Sequence, residues 1–202
     1  ERLIAAAYDS YLPWFEKPMP ALLRAYDALA ASDPLKAKLR DPIAQLRNWD
    51  YRFSVSSVAT SLAVFWGTEV SAPINQGTRT AGGARDTFLD SPAAAMTLLQ
   101  GLSTAVDKLT ADLGTWNTPW GDINRFQRIT DDLVHPFTDA GPSIPVEFSS
   151  ATWGSLASFG ARSYKGSKKI YGTSGNSFVA VVEFGPTVRA KAVTAGGESG
   201  DP

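Results

Sequence analysis

The chain has 202 residues, of which 19 are basic and 20 acidic, so its formal net charge at pH 7 is −1. This balance provides no basic surface of the kind that binds nucleic acids or anionic membranes. The absence of cysteine excludes disulfides, thiolate nucleophiles and cysteine-bound zinc. No apolar run approaches the roughly 20 residues that span a bilayer, and the 44% hydrophobic content is that of an ordinary globular protein.

The beginning of the chain, ERLIAAAYDS, has neither a basic signal-peptide region nor an initiator Met, so we expect a processed, excised or truncated front. Two short helices are then predicted, each at an aspartate followed by a proline. Asp33 precedes Pro34 and Asp41 precedes Pro42. An aspartate at this place caps free backbone N–H groups, and proline suits the first helical turn.

A longer helix is predicted from Ser54 to about Trp66, because apolar residues recur there at intervals of three and four. These residues are Val55, Val58, Leu62 and Phe65. Residues 67–90 mix glycine, threonine, asparagine and charged residues without a period. They predict an irregular connection.

The clearest helix is predicted between Ser91-Pro92 and Gly114, a glycine that suits the C-terminal cap. Its apolar stripe consists of Leu99, Leu102, Val106, Leu109 and Leu113. At 1.5 Å per residue, the helix would be roughly 35 Å long. We expect a helix of this length to pack along a large surface.

Beyond Gly114 the sequence predicts short strands and ordered loops, because aromatic residues lie between turn-forming ones. Residues 178–184 (FVAVVEF) are apolar on both alternating faces except for Glu183, which predicts a strand buried on both sides. Residues 188–193 (VRAKAV) alternate, and the short link between the two runs predicts antiparallel pairing. Few helices remain after residue 114 to cover such a sheet, so we expect part of the covering chain to lie outside this sequence.

The residues with catalytic chemistry do not by themselves favour a mechanism. His135, the single histidine, precedes a proline in LVHPF, where a structural or surface role competes with that of a base. One histidine excludes metal motifs of the HExxH kind. Ser174 in GTSGNS lacks the strand-to-helix elbow of serine hydrolases.

Acidic pairs and tryptophans have equally ordinary explanations. Asp131 with Asp132 and Glu198 with Asp201 are adjacent or near in sequence, but a glycosidase or calcium site requires converging oxygens. The loop 195–202 (AGGESGDP) lacks the lysine and the helix of a phosphate-binding loop. Core positions, rather than a carbohydrate platform, are predicted for Trp49, Trp66, Trp116, Trp120 and Trp153.

Four segments, taken in order, resemble the penicillin acylase family of N-terminal nucleophile hydrolases. The segments are DPIAQLRNWDYRFSVSSVATSLAVFW, TWNTPWGDINRF, YGTSGNSFVAVVEFG and VRAKAVTAGGESGDP. The first contains the family's Leu-x-x-Trp-Asp motif as Leu46, Trp49 and Asp50. The last has Glu198 where the family usually has Gln, and it stops before the family's histidine element. The resemblance covers about residues 35–202 and corresponds to the C-terminal part of the β-subunit.

The resemblance implies an α+β fold that forms part of an αββα sandwich, with a helical first half followed by antiparallel strands. Residues 1–114 would be the mainly helical part and residues 115–202 the strand and loop part, both within one larger β-subunit domain. The implied reaction is hydrolysis of an amide that links an acyl chain to an amine, as in a β-lactam side chain or an acylated homoserine lactone.

In that family the nucleophile is a serine at the first position of the β-subunit, whereas this sequence begins with Glu1. The family's oxyanion asparagine, a nearby arginine and its calcium ligands all precede the stretch matched here. Neither Asn124 nor Asn176 corresponds to the oxyanion position. We therefore assign no catalytic, substrate-binding or metal-ligating residue, and we expect the chain alone to be inactive.

The resemblance also implies partners and a location. The partners would be the remaining β-subunit and the α-subunit of the same precursor, together with a small acyl amide as substrate. No cofactor is expected in this chain, and calcium is expected only in the full enzyme. The location would be periplasmic or secreted.

Two other functions are compatible with the sequence. A non-catalytic structural or binding module would be a compact monomer with no exposed apolar sheet, whereas a fragment would expose an apolar patch or associate tightly with a partner. A carboxylate-based glycoside hydrolase would require an acidic pair that converges in a groove.

Overall fold

The computed structural model describes residues 2–127, 137–176 and 178–194 of the chain. The helices are α1 (Arg2–Ala7), α2 (Pro18–Asp27), α3 (Pro34–Lys38), α4 (Arg40–Arg47), α5 (Val58–Thr80), α6 (Arg85–Leu89), α7 (Pro92–Leu113) and α8 (Trp120–Ile123). The strands are β1 (Asn124–Phe126), β2 (Ile144–Pro145), β3 (Phe159–Ser163), β4 (Ile170–Gly175), β5 (Phe178–Glu183) and β6 (Arg189–Thr194). Helices thus precede strands, as predicted for an α+β chain.

The predicted caps are confirmed at two of three helices. The Asp33 carboxylate accepts a hydrogen bond from the Leu35 N–H at the start of α3, and the Ser91 hydroxyl accepts one from the Ala94 N–H at the start of α7. Gly114 ends α7 with φ 83°, in the left-handed region. The prediction for Asp41 was wrong, because α4 already begins at Arg40 and the Asp41 carboxylate pairs with the Arg40 side chain.

Helix α5 differs from its prediction at both ends. It begins at Val58, where the Ser57 hydroxyl caps the Thr60 N–H, so Val55 precedes the helix and is 41% exposed. Its C-terminal end lies at Thr80 rather than near Trp66, since Trp66, Val70 and Ile74 form a buried stripe with a spacing of four.

The irregular connection predicted for residues 67–90 was therefore wrong. The helix continues through Pro73, which has no N–H to donate to the Glu69 carbonyl of the preceding turn. Helix α6 occupies the end of the same stretch, and its Phe88 ring packs where Gly77 of α5 has no side chain. Because this part of α5 is buried along one face only, most of its residues are polar or small, and the sequence shows no clear apolar period.

Helices α5 and α7 pack against each other to form the centre of the hydrophobic core. The stripe predicted for α7 is confirmed, since Leu99, Leu102, Val106 and Leu109 are buried and Leu113 packs against the core. The Trp66 indole N–H of α5 donates to the Leu98 carbonyl of α7 over 3.0 Å. Near this contact a Cβ on Gly101 would lie 2.3 Å from a Val70 methyl, so the two backbones approach closely.

The tryptophans occupy the core positions predicted for them. Trp49, Trp66, Trp120 and Trp153 are at most 8% exposed, and Trp116 packs against the core. Phe15 connects three of them, with ring centroids 5.3 Å from Trp49, 6.2 Å from Trp66 and 5.2 Å from Trp153. None of these rings forms an exposed platform.

Within the described residues, every helix is too short or too polar to cross a membrane.

Strands β1 to β4 form one mixed sheet in the order β2-β1-β4-β3. The prediction of antiparallel strands holds for β1 with β2 and for β3 with β4. It was wrong for β1 with β4, which run parallel with Asn124 opposite Ile170. More than 40 residues separate these two strands, and a connection of that length allows the chain to re-enter the sheet in the same direction.

Strands β5 and β6 form a separate antiparallel hairpin, as predicted, with Val179 opposite Val193 and Glu183 opposite Arg189. Residues directly opposite each other lie on the same face of a hairpin. One face consists of Phe178, Ala180, Val182, Ala190 and Ala192, and all five side chains are exposed. We call it the open hairpin face.

The prediction that Phe178–Phe184 is buried on both sides was wrong for this structure. Phe178 is 63% exposed and Phe184 is 84% exposed. The apolar pattern was identified correctly, but no further strand pairs with the hairpin and no helix covers the open hairpin face among the described residues. Burial depends on a covering layer, which the pattern itself does not supply.

Candidate functional site

A cleft of about 400 Å³ opens between helix α5, the end of α7 and the sheet edge at β3. Its walls include the aromatic rings of Phe65, Trp120, Trp153 and Phe159. Ligand sites are typically concave, with apolar walls and a few convergent polar groups. We call this feature the α5–β3 cleft and treat it as the candidate functional site.

Two buried polar side chains line the α5–β3 cleft. Asn124 starts β1, and its side-chain amide donates to the Val146 and Phe148 carbonyls over 2.9 Å each. The opposite atom, Asn124 Oδ1, has no hydrogen-bond partner, and neither does the Ser149 hydroxyl. Both residues are 1% exposed. Buried polar atoms are normally paired, so these two oxygens require an explanation.

Three charged side chains from different elements also line the cleft: Glu69 of α5, Lys108 of α7 and Arg162 of β3. Within the part of the chain that the structure describes, none of them forms a salt bridge. The Lys108 ammonium lies 6.0 Å from the centroid of the Phe65 ring. The Arg162 guanidinium lies 5.1 Å from the centroid of the Tyr164 ring. The Tyr164 hydroxyl accepts a hydrogen bond from Arg162 Nε over 3.3 Å.

This arrangement suits binding rather than covalent catalysis. The Ser149 hydroxyl has no hydrogen-bonded base to activate it, which a serine nucleophile needs. No group of three or more His, Asp or Glu side chains in the described ranges is placed to hold a metal ion. What the cleft offers instead is an unpaired acceptor, an unpaired hydroxyl, one acidic and two basic side chains, and further Ser and Thr residues between aromatic walls.

A second polar cluster fixes the loop that leads into β2. Tyr171 of β4 is fully buried and donates its hydroxyl proton to Asp139 Oδ1 over 2.7 Å. The Lys168 and Lys169 N–H groups donate to the same carboxylate over 2.7 and 3.4 Å. The Phe137 ring stacks on Tyr171 at 5.3 Å. The cluster therefore ties residues 137–139 to the β3–β4 turn.

The ionisation of both groups follows from these contacts. Burial raises the pKa of Asp139, but the hydrogen bonds from Lys168, Tyr171 and Lys169 outweigh it, so the net pKa of Asp139 is lowered. Burial, and then the hydrogen bond to this carboxylate, raise the pKa of Tyr171 to about 12. At neutral pH the pair thus consists of a carboxylate and a neutral phenol.

Several candidates from the sequence lie outside the described residues: His135, Asp131, Asp132, Glu198, Asp201 and the loop 195–202. Ser174 lies on β4 opposite Gly160, within a strand rather than at an elbow. Asn176 Oδ1 accepts hydrogen bonds from the Ser158 N–H and hydroxyl over 2.6 and 3.1 Å.

The Leu-x-x-Trp-Asp motif has a structural role in the turn that follows α4. Leu46 is buried, and the Trp49 indole donates to the Arg52 carbonyl over 2.9 Å. Asp50 accepts a hydrogen bond from the Arg52 N–H over 3.1 Å. Between them Tyr51 adopts a φ of 62°, unusual for a residue with a side chain. The motif therefore holds a strained turn rather than contributing to the cleft.

No pattern in the sequence indicated Ser149 or the three charged residues of the cleft. Ser149 follows Phe148 in a stretch without a period, and Glu69 lies in the segment predicted to be irregular. Lys108 and Arg162 are 54 positions apart and belong to a helix and a strand. No local signal connects such residues, because only the packing of α5, α7 and β3 brings them to one cavity.

Comparison with known proteins identifies the family. A search of curated protein sequences finds no significant match to this chain. The family described as Penicillin amidase, however, matches residues 1–202, which is the whole chain. This family consists of acylase-type amidohydrolases of the N-terminal nucleophile class. The chain therefore belongs to the penicillin amidase family.

Proposed function

We propose that this chain is part of a penicillin-acylase-type enzyme that hydrolyses the amide between an acyl group and an amine. The match of all 202 residues to the penicillin amidase family carries the proposal. Its substrates would be acyl amides such as the side-chain amide of a β-lactam or an acylated homoserine lactone. Within that enzyme the chain provides scaffold and part of a pocket wall.

In the proposed mechanism the nucleophile is an N-terminal serine supplied by another portion of the polypeptide. Its free α-amine, which titrates at about 8, serves as the base for its own hydroxyl. Backbone N–H groups and an asparagine side chain would stabilise the oxyanion, with about 3–4 kcal/mol per donor in comparable enzymes. The unpaired Ser149 hydroxyl and the strand position of Ser174 support a nucleophile outside the described residues.

Asn124 does not suit the role of the oxyanion donor. Both N–H bonds of its side-chain amide are directed to backbone carbonyls, those of Val146 and Phe148. A donor already engaged in this way offers nothing to a developing negative charge. We propose that the asparagine of the oxyanion hole also belongs to another portion of the enzyme.

We further propose that the chain assembles with the remaining β-subunit and the α-subunit of the same precursor. Autoproteolytic processing of that precursor would form the two subunits. The complete fold would be an αββα sandwich in which the open hairpin face is covered by another layer. Phe178 and Val182 on this face, at 63% and 40% exposure, support a covering partner. The enzyme would be periplasmic or secreted, with calcium bound outside this chain.

Co-expression tests this proposal. The 202-residue chain is produced alone and together with a preceding segment that begins at a serine, and both preparations are assayed with a chromogenic acyl-anilide. We expect turnover only from the assembled protein, and replacement of the initial serine by alanine should abolish it. Turnover by the 202 residues alone would show that the nucleophile has been assigned to the wrong portion.

The alternative function is a non-catalytic structural or binding module, and the exposed apolar face of the hairpin disagrees with it. Such a module would be a compact monomer without an exposed apolar sheet. The five apolar side chains of the open hairpin face are exposed instead. Native mass and hydrophobic dye binding of the isolated chain separate the two functions, because a closed module would be monomeric and would bind little dye.

A further inference from the structure

The α5–β3 cleft contains polar atoms that the protein itself leaves unpaired. Asn124 Oδ1 is an acceptor only, and the orientation of its amide is fixed because Nδ2 serves two backbone carbonyls. The Ser149 hydroxyl is both donor and acceptor and is also unpaired. Both atoms have almost no solvent-accessible area and belong to residues in the wall of the cleft, so the wall lacks an N–H or O–H donor that a ligand packed against it could bring.

The charged groups of the cleft define what else the ligand must carry. Lys108 and Arg162 face the cavity without a carboxylate partner among the described residues, and Glu69 faces it without a basic one. A ligand that pairs with all three needs at least one negative and one positive group. Since charge-assisted hydrogen bonds are the stronger ones, these groups would dominate affinity.

The remaining surface and the size of the cleft restrict the ligand further. Four aromatic rings line it beside several Ser and Thr residues, so we expect the ligand to place an apolar group against the rings. The volume of about 400 Å³ lies near the lower end of the range of small-molecule sites. A molecule of the size of a free amino acid fits within this volume.

We propose that the α5–β3 cleft binds a small zwitterion of the amino-acid class with an apolar or aromatic side chain. Its carboxylate pairs with Lys108 and Arg162, and its ammonium group pairs with Glu69 and donates to Asn124 Oδ1. Its side chain packs against the aromatic walls. Binding of this zwitterion involves no bond cleavage. It is independent of the proposed amide hydrolysis.

Three probes of nearly equal shape test the charge pattern by calorimetric titration of the 202-residue chain. L-Phenylalanine carries both charged groups, L-phenylalaninamide lacks the carboxylate, and N-acetyl-L-phenylalanine lacks the ammonium group. We expect L-phenylalanine to bind, and each derivative to bind about tenfold more weakly, as for the loss of one charge-assisted contact. Equal binding of all three, or no binding of L-phenylalanine, would overturn the proposal.

Variants then assign the contacts to the cleft. Lys108→Gln should weaken L-phenylalanine binding about tenfold without weakening the binding of L-phenylalaninamide, because the amide has no carboxylate to lose. Lys165→Gln, which removes an exposed charge outside the cleft, should change neither affinity. Both positions are exposed, so both variants should fold, as thermal unfolding can verify. Equal effects of the two variants would place the binding elsewhere and contradict the proposal.

Discussion

At the scale of single residues, the contact between Tyr171 and Asp139 shows how a buried polar group is accommodated beside the sheet. The Tyr171 hydroxyl has no access to water, and the carboxylate that accepts its hydrogen bond is held by two backbone N–H groups. Removing one member of such a group leaves the others imperfectly paired. The contact should therefore contribute to stability in a pH-dependent way.

We predict that Tyr171→Phe lowers the free energy of unfolding by about 1–3 kcal/mol at neutral pH. The folded pKa of about 12 exceeds the ordinary value of 10.0, so the contribution of Tyr171 is complete below pH 10 and is lost as the pH rises towards 12. Tyrosinate absorbance of the wild type should show a late component, near pH 12, that the variant lacks. Tyr8→Phe, which removes an exposed hydroxyl, should leave stability unchanged. Persistence of the late component in Tyr171→Phe would contradict the assignment.

At the scale of elements, the packing of α5 on α7 depends on a residue with no side chain. Gly101 lies in the interior of α7, where alanine would be intrinsically better by about 1 kcal/mol. A Cβ at this position would lie 2.3 Å from a Val70 methyl and 3.6 Å from the Trp66 ring. Both neighbours are buried and cannot move away freely. At position 101, helix propensity therefore favours alanine, whereas the close approach of α5 disfavours it.

We predict that Gly101→Ala destabilises the protein by about 1–3 kcal/mol, as expected for overpacking that exceeds the gain in propensity. Denaturant unfolding of this variant measures the change. Gln100→Ala provides the matched control, because Gln100 is exposed on the same helix and should change stability by less than about 0.5 kcal/mol. A Gly101→Ala variant more stable than the wild type would show that α5 and α7 are less closely packed than described.

At the scale of the whole molecule, the open hairpin face leaves an apolar surface outside the common core. A two-stranded hairpin is only marginally stable by itself. The other face of the β5–β6 hairpin carries Val179 and Val193, which line a groove with Tyr8 and Phe148. The hairpin is thus anchored on one side and uncovered on the other, which is the arrangement expected of a surface that another layer completes.

We predict that Val182→Lys reduces hydrophobic dye binding and self-association of the isolated chain, because it places a charge on the open hairpin face. It should also prevent co-purification with the proposed partner portion. Met96→Lys is the control, since Met96 is an exposed apolar residue on α7 away from the hairpin, with 47% exposure against 40% for Val182. Equal effects of both variants would mean that the face has no special role.

The elements with strong local signals were predictable from the sequence. Helix α7 has a serine cap, a continuous apolar stripe and a terminal glycine, and each of these acts within a few residues. The pairing of β5 with β6 followed from the short link between two apolar runs. By contrast, the second half of α5 was missed, because its buried stripe of Trp66, Val70 and Ile74 is surrounded by polar residues and glycine.

Local patterns in the sequence predicted that helices precede strands, the buried stripe of α7 and the core positions of the tryptophans. Four ordered segments also indicated the resemblance to the penicillin amidase family, which the family match confirmed. These properties depend on local periodicity, capping and residue type. Three features follow from long-range packing instead: the parallel pairing of β1 with β4, the exposure of the open hairpin face, and the meeting of Glu69, Lys108 and Arg162 in one cleft. Such features depend on contacts between residues far apart in the chain, and no local pattern encodes which distant surface covers which.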